Sequence, residues 1–220
     1  QNNEDVYFCS DYDDNHKEEE ERRLAQLRAL RLSQPELDGP ITRQEVFDAI
    51  RKIKPGKAPG VDGVTTTILK MAADAVGTSK LKPVNHVVDS LVLLFNFVFD
   101  NETWPERWAT GIVFPLYKQD SRLDPANYRP ITLLSVVGKL FGSIVECRLS
   151  AWSETHKSLA DEQGGFRRNR GTADLIFMLR EIVMTRKLRG QCTLATFIDA
   201  RKAYDTVWRE GNFVRLHDMG

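Results

Sequence analysis

The sequence predicts an α+β fold that is mostly helical, with one β-hairpin near the middle and one further strand toward the C-terminus. Apolar residues recur at helical spacing through most of the chain. Two β-prone runs, GIVFPLYK and NYRPITLL, flank the polar DSRLDPAN, and a third run, CTLATFID, follows Gly190.

The elements follow in order. Residues 1–39 open on an acidic stretch and pass into EEEERRLAQLRALRL, where Leu24, Leu27 and Leu30 recur among alternating charges. That pattern fits a charged linker or a solvated helix. Gly39 and Pro40 punctuate, and Thr42 with Glu45 forms a capping box for a helix whose apolar face is Val46, Phe47, Ile50 and Ile53. KPGKAPGVDG must then be a tight basic loop. TTTILKMAADAV reads as a short helix, and Val84, Val87, Val88, Leu91, Val92, Phe95, Val98 and Phe99 as a longer, broadly buried one. In the hairpin, Lys118 closes the first strand and Arg129 opens the second, which puts both cations near the tip. VVGKLFGSIVECRLSAW is helical through Val137, Leu140, Ile144, Val145 and Leu149. The loop DEQGGFRRNRG leads into a helix with Leu175, Ile176, Leu179, Ile182 and Val183 at 3.6-residue spacing, and Arg186, Lys187 and Arg189 suit its negative end. CTLATFID is expected to be a buried strand with Asp199 at its C-terminal end, and a turn or helix is expected near Ala203.

Composition narrows the function classes. Formal charge is zero over 220 residues, but residues 1–40 hold 5 basic and 11 acidic side chains, which leaves the remaining 180 at +6. A basic body with an acidic tail is compatible with a polyanionic partner. Cys9, Cys147 and Cys192 have no metal-binding spacing and read as buried or inert thiols, and the four histidines are scattered. No stretch approaches a membrane span, and the first residues lack a signal-peptide pattern, so a soluble intracellular protein is expected. KPGKAPG is not a Walker loop, because its GK lacks the required preceding glycine and no Ser or Thr follows.

By residue type alone, Asp199 could be a helix cap or a metal ligand. Its surroundings bear on the choice. FIDARKAYDTV resembles the first palm motif of reverse transcriptases. KIKPGKAPGVDGV, NYRPITLLSVVGKLF and DEQGGFRRNRGTADLI precede it in order, each similar to a block of the enzymes of non-LTR (LINE-type) retrotransposons. The resemblance covers about residues 40–220.

It implies part of a right-hand polymerase fold: fingers over residues 40–190 and the start of the palm over 191–220. It also implies RNA-directed DNA polymerase activity with an RNA template, a DNA primer and dNTPs. Asp199 corresponds to the catalytic aspartate that ligates two Mg²⁺ ions, for which Mn²⁺ can substitute. Tyr204 corresponds to the aromatic residue that excludes a 2′ hydroxyl; by itself it could be a half-buried core tyrosine. Lys118 and Arg129 match positions that contact the nucleotide triphosphate, though a solvent-facing pair is the plain alternative. Phe166, Arg167, Arg168 and Arg170 match the template side, and Lys54 and Lys57 are placed to touch template phosphates. Asp205 is expected to be structural, and Lys202 either structural or near the phosphates.

The family's double-Asp palm motif is not found after Asp199, so the chain is expected to be inactive alone. The different-class alternative is a non-catalytic retrotransposon remnant that binds nucleic acid. Location in nucleus or cytoplasm follows from the resemblance, and oligomeric state stays open.

Overall fold

Thr42 starts the packed body as its sequence requires. Its side chain accepts from the Glu45 backbone N–H, and the Glu45 carboxylate accepts from the Thr42 N–H at 2.8 Å. This reciprocal cap satisfies donors that the first helical turn leaves unpaired. The computed structural model describes residues 14–30, 34–74, 85–200 and 207–219. Cys9, Val84, Lys202, Ala203, Tyr204 and Asp205 lie outside these. Two compact units make up the chain, Pro35–Ser153 and Gln1–Gln34 together with Glu154–Gly220.

In the first unit, helices α2 (Arg43–Lys52), α3 (Thr66–Asp74), α4 (His86–Asp100), α5 (Glu106–Ala109) and α6 (Val136–Thr155) surround one apolar core. Val46 and Ile50 enter from α2, Leu69 and Ala73 from α3, Val88, Leu91, Phe95 and Val98 from α4, and Leu140, Phe141 and Ile144 from α6. These are the positions the 3.6-residue period selects, with Phe47, Ile53, Val92 and Phe99 partly buried at the margin. Val87 falls on the exposed side of α4. Helix α5, which the sequence reading did not anticipate, inserts Trp108 between Phe95 and Phe141, with ring centroids 6.0 and 5.7 Å away. The Phe95 contact is edge-on and the Phe141 contact tilted, and such aromatic pairs contribute roughly 0.5–1.5 kcal/mol each beyond burial. Gly138 lets α6 approach that ring, since a Cβ there would lie 3.0 Å from Trp108 Cβ.

The hairpin forms where expected. Strand β1 (Ile112–Tyr117) pairs antiparallel with β2 (Tyr128–Leu133), in the register Leu116 opposite Arg129 and Tyr117 opposite Tyr128. Lys118 N–H donates to Asn127 O at 2.8 Å. Hydrogen-bonded pairs alternate in such a ladder, so the facing prolines Pro115 and Pro130 occupy a non-hydrogen-bonded pair. No ladder bond is lost, which is why a strand can hold proline there.

The second unit contains α1 (Asp14–Leu30), α7 (Thr172–Leu188) and α8 (Arg209–Asp218). Leu24 of α1 and Val214 of α8 are buried, and Arg23 pairs with Asp218. The apolar residues of α7 repeat at helical spacing, yet Ile176, Phe177, Ile182 and Leu188 are exposed. The buried strand expected at CTLATFID does not form. Residues 191–200 carry no regular secondary structure, and Leu194 and Ile198 are more than nine-tenths exposed. A strand needs a partner for its backbone N–H and C=O groups, and among the described residues β1 and β2 pair only with each other. Cys192 is likewise exposed rather than buried, while Cys147 is half-buried.

Candidate nucleic-acid and nucleotide interface

Side chains alternate faces along a strand. Leu116 and Arg129 share one face by register, and Lys118, two residues beyond Leu116, falls on that same face. Residues so related lie on a cross-strand diagonal, roughly 7–8 Å apart. Lys118 and Arg129 therefore form a cationic pair at the hairpin tip. Both are exposed, and among the described residues neither pairs with a carboxylate. The opposite face holds Pro115, Pro130, Tyr117 and Tyr128, with the Arg122 guanidinium 5.2 Å from the Tyr117 ring.

The basic loop before α3 is built from two left-handed glycines, Gly56 at φ 72° and Gly63 at φ 69°. Lys54 and Lys57 are exposed on it, and the Lys57 N–H donates to Thr66 Oγ1 at 3.4 Å. The loop's far end is tied to the segment leaving β2. Ser135 Oγ donates to Asp62 Oδ2 at 2.5 Å and accepts from Gly138 N at 3.2 Å, while Val64 N donates to Asp62 Oδ1 at 3.2 Å. Ser135 is fully buried and caps α6. Gly60 touches the same segment so closely that a Cβ would lie 2.6 Å from Ser135 N. The Asp62–Ser135 pair was not anticipated from sequence. Ser135 ahead of an apolar helical run is a cap signal, but nothing local marks Asp62 as its partner.

In the second unit, the GGFRRNRG loop holds Phe166 at φ 60° and Asn169 at φ 59°, left-handed conformations that cost energy for non-glycine residues. Phe166 is 98% exposed. Arg167 is committed internally: its guanidinium donates to both Glu154 carboxylate oxygens at 2.9 and 2.7 Å and to Ala160 O at 2.9 Å. This pairing holds the Glu154 carboxyl below the usual carboxylate range and raises Arg167 further. Arg170 is held by Asp161, and Arg168 is exposed. Asp199 is exposed on the irregular segment, and Tyr204 lies outside the described residues. Among the described residues, no group of three or more His, Cys, Asp or Glu is placed to hold a metal ion.

Residues 116–220 match the family model described as reverse transcriptase (RNA-dependent DNA polymerase). Over those residues the chain matches the reverse transcriptase family. Its relatives are of the non-LTR retrotransposon type. It is 28% identical over 173 residues to a probable RNA-directed DNA polymerase from transposon BS of Drosophila melanogaster, covering 78% of this chain and 18% of the relative. It is 26% identical over 172 residues to the RNA-directed DNA polymerase from mobile element jockey of the same species, covering 78% of this chain and 18% of the relative. A Pol polyprotein from the type-1 retrotransposable element R2 of Popillia japonica is 34% identical over 169 residues, covering 76% and 21%. The chain thus spans about a fifth of the length of the curated relatives it matches. Of the reverse transcriptase site candidates, Lys118, Arg129, Phe166, Arg167, Arg168, Arg170, Asp199 and Tyr204 fall inside the matched residues, whereas Lys54 and Lys57 precede them. No helix among the described residues is long and apolar enough to cross a membrane.

Proposed function

We propose that this chain supplies template and nucleotide contacts of an RNA-directed DNA polymerase that extends a DNA primer on an RNA template by two-metal nucleotidyl transfer, within a right-hand polymerase fold. The observation that carries the reading is the pairing of Lys118 and Arg129 on one face of the hairpin tip, exposed and without a carboxylate partner among the described residues. A triphosphate is densely anionic, and a planar guanidinium beside an ammonium can share its oxygens.

Phe166, nearly all in solvent on a left-handed backbone, offers a ring to an unstacked template base, and Arg168 and Arg170 flank it with positive charge. Arg167 acts from behind, holding the loop to Glu154. In the first unit, Lys54 and Lys57 offer cations to template phosphates. Tyr204 is the sugar gate. Asp199 presents hard oxygen donors suited to Mg²⁺ or Mn²⁺ and supplies one ligand of the set such ions require. Bound magnesium would activate the primer 3′ hydroxyl and stabilise the leaving pyrophosphate.

The test is dNTP binding to the chain held on a primed RNA template, in Mg²⁺. Lys118→Ala and Arg129→Ala should each weaken dNTP binding about tenfold to a hundredfold, the loss of one charge-assisted contact, with primer–template affinity little changed. Unchanged dNTP affinity in both variants would refute the assignment. Retained RNA binding with no dNTP binding at all in the parent chain would instead support a nucleic-acid-binding module without nucleotide chemistry.

A further inference from the structure

The two cation pairs of the first unit sit on segments far apart in sequence; the loop meets the helical core at its flanks, through Ile53 and Val64, and the hairpin strands contribute nothing to the buried core cluster among the described residues. The hairpin strands are exposed along nearly their whole length. The loop of Lys54 and Lys57 is glycine- and proline-rich. A buried hydroxyl joins them. Ser135, two residues beyond β2, donates to Asp62, and Asp62 closes the Gly60–Gly63 turn by accepting from Val64 N–H. Both Asp62 oxygens are thereby used. The Ser135 oxygen is also used twice, because it accepts from Gly138 N–H while donating. Gly60 packing on the Leu134–Ser135 backbone leaves no room for a side chain between the two segments.

We propose that Asp62 and Ser135 are positioning residues, a carboxylate–hydroxyl lock that fixes the loop of Lys54 and Lys57 to the root of the hairpin of Lys118 and Arg129, so that both cation pairs meet an anionic nucleic acid as one preorganised surface. The inference rests on the proposed role of those cations. Holding the loop matters because a mobile lysine must be ordered on binding, and that ordering cost is subtracted from its contact energy. With the lock open, the Lys57 N–H contact to Thr66 at 3.4 Å is a weak remaining tether.

A cycle of variants measured with a fluorescent RNA–DNA primer–template over about 50 to 200 mM salt tests this. In the parent chain, Lys54→Ala with Lys57→Ala should weaken binding and reduce the salt slope by about 2, one for each phosphate contact. Asp62→Ala should reproduce most of that change although it removes a negative charge, the opposite sign to a direct electrostatic effect. In the Asp62→Ala background the two lysine substitutions should then add little. Ser135→Ala should behave as Asp62→Ala does. Where Asp62→Ala does not fold, Asp62→Asn, which keeps the volume and one acceptor, replaces it with a smaller effect of the same sign. Equal lysine effects in both backgrounds overturn the lock while leaving the cation assignment standing. No lysine effect in the parent chain overturns the cation assignment, and the lock with it.

Discussion

Removing the Arg148 guanidinium should cost the first unit about 3 kcal/mol, and part of that loss should depend on pH. Arg148 leaves α6 to hold the chain where it enters the core. It donates to Glu45 Oε1 at 2.6 Å and Oε2 at 2.9 Å, and to the carbonyls of Leu37 at 2.9 Å and Pro40 at 2.9 Å, with Gly39 O also within reach. Its side chain is 14% exposed, and its guanidinium lies 5.8 Å from the Phe99 ring centre. This bidentate pairing is the main reason the Glu45 carboxyl falls from 4.5 to about 2. A displacement of that size corresponds to roughly 3 kcal/mol. Because the Glu45 side chain is 30% exposed, solvent screening reduces it to about 2 kcal/mol. Carbonyls that lose their donor add about 1 kcal/mol more. The total sits at the lower edge of what breaking a buried ion pair costs.

Urea unfolding followed by tryptophan fluorescence measures it, since Trp104 and Trp108 lie in the same unit. The carboxyl is depressed in the folded state, so its stabilisation is complete above about pH 4.5 and is lost as pH falls toward 2. The gap between the parent and Arg148→Ala should therefore narrow by about 2 kcal/mol across that window. Arg148→Lys should recover only part of the loss, because a single ammonium cannot replace the fork. A loss below about 0.5 kcal/mol, the range of ordinary surface substitutions, or a gap independent of pH, would refute this account.

Two glycines of α6 should respond with opposite signs to alanine. Nothing lies within 4 Å of a Cβ at Gly142, so Gly142→Ala should raise stability by about 0.5–1 kcal/mol through helix propensity. Gly138→Ala, meeting Trp108 at 3.0 Å, should lower it by about 1–2 kcal/mol, and urea midpoints compare the two directly. In the second unit, Arg167→Ala should return the Glu154 carboxyl toward its usual range, visible in an NMR titration of its side chain; a titration unchanged from the parent would mean the pairing does not exist in solution.

Much of the first unit was legible because its information is local. The Thr42 and Glu45 box, the apolar period through Phe95 and the polar turn between β1 and β2 each lie within a few residues, where capping, burial and turn chemistry act. The positions of Lys118 and Arg129 at the hairpin tip followed from turn length alone. The CTLATFID strand did not follow, because apolar alternation records a propensity and a strand exists only where another strand satisfies its backbone. The internal pairing of Arg167 was not legible for a related reason. A run of arginines looks solvated until Glu154, thirteen residues earlier, is found to claim one of them.

By itself, then, the sequence determined the helical frame, the hairpin and the likeness to reverse transcriptases, since period, caps and ordered motifs are written along the chain. Tertiary structure decided which polar groups are spoken for. Asp62 meets Ser135 across 73 residues and Arg148 meets Glu45 across 103. Such pairs depend on which side chains share one partly buried space, where an unmatched hydroxyl or charge is costly, and no local pattern in the chain encodes that meeting.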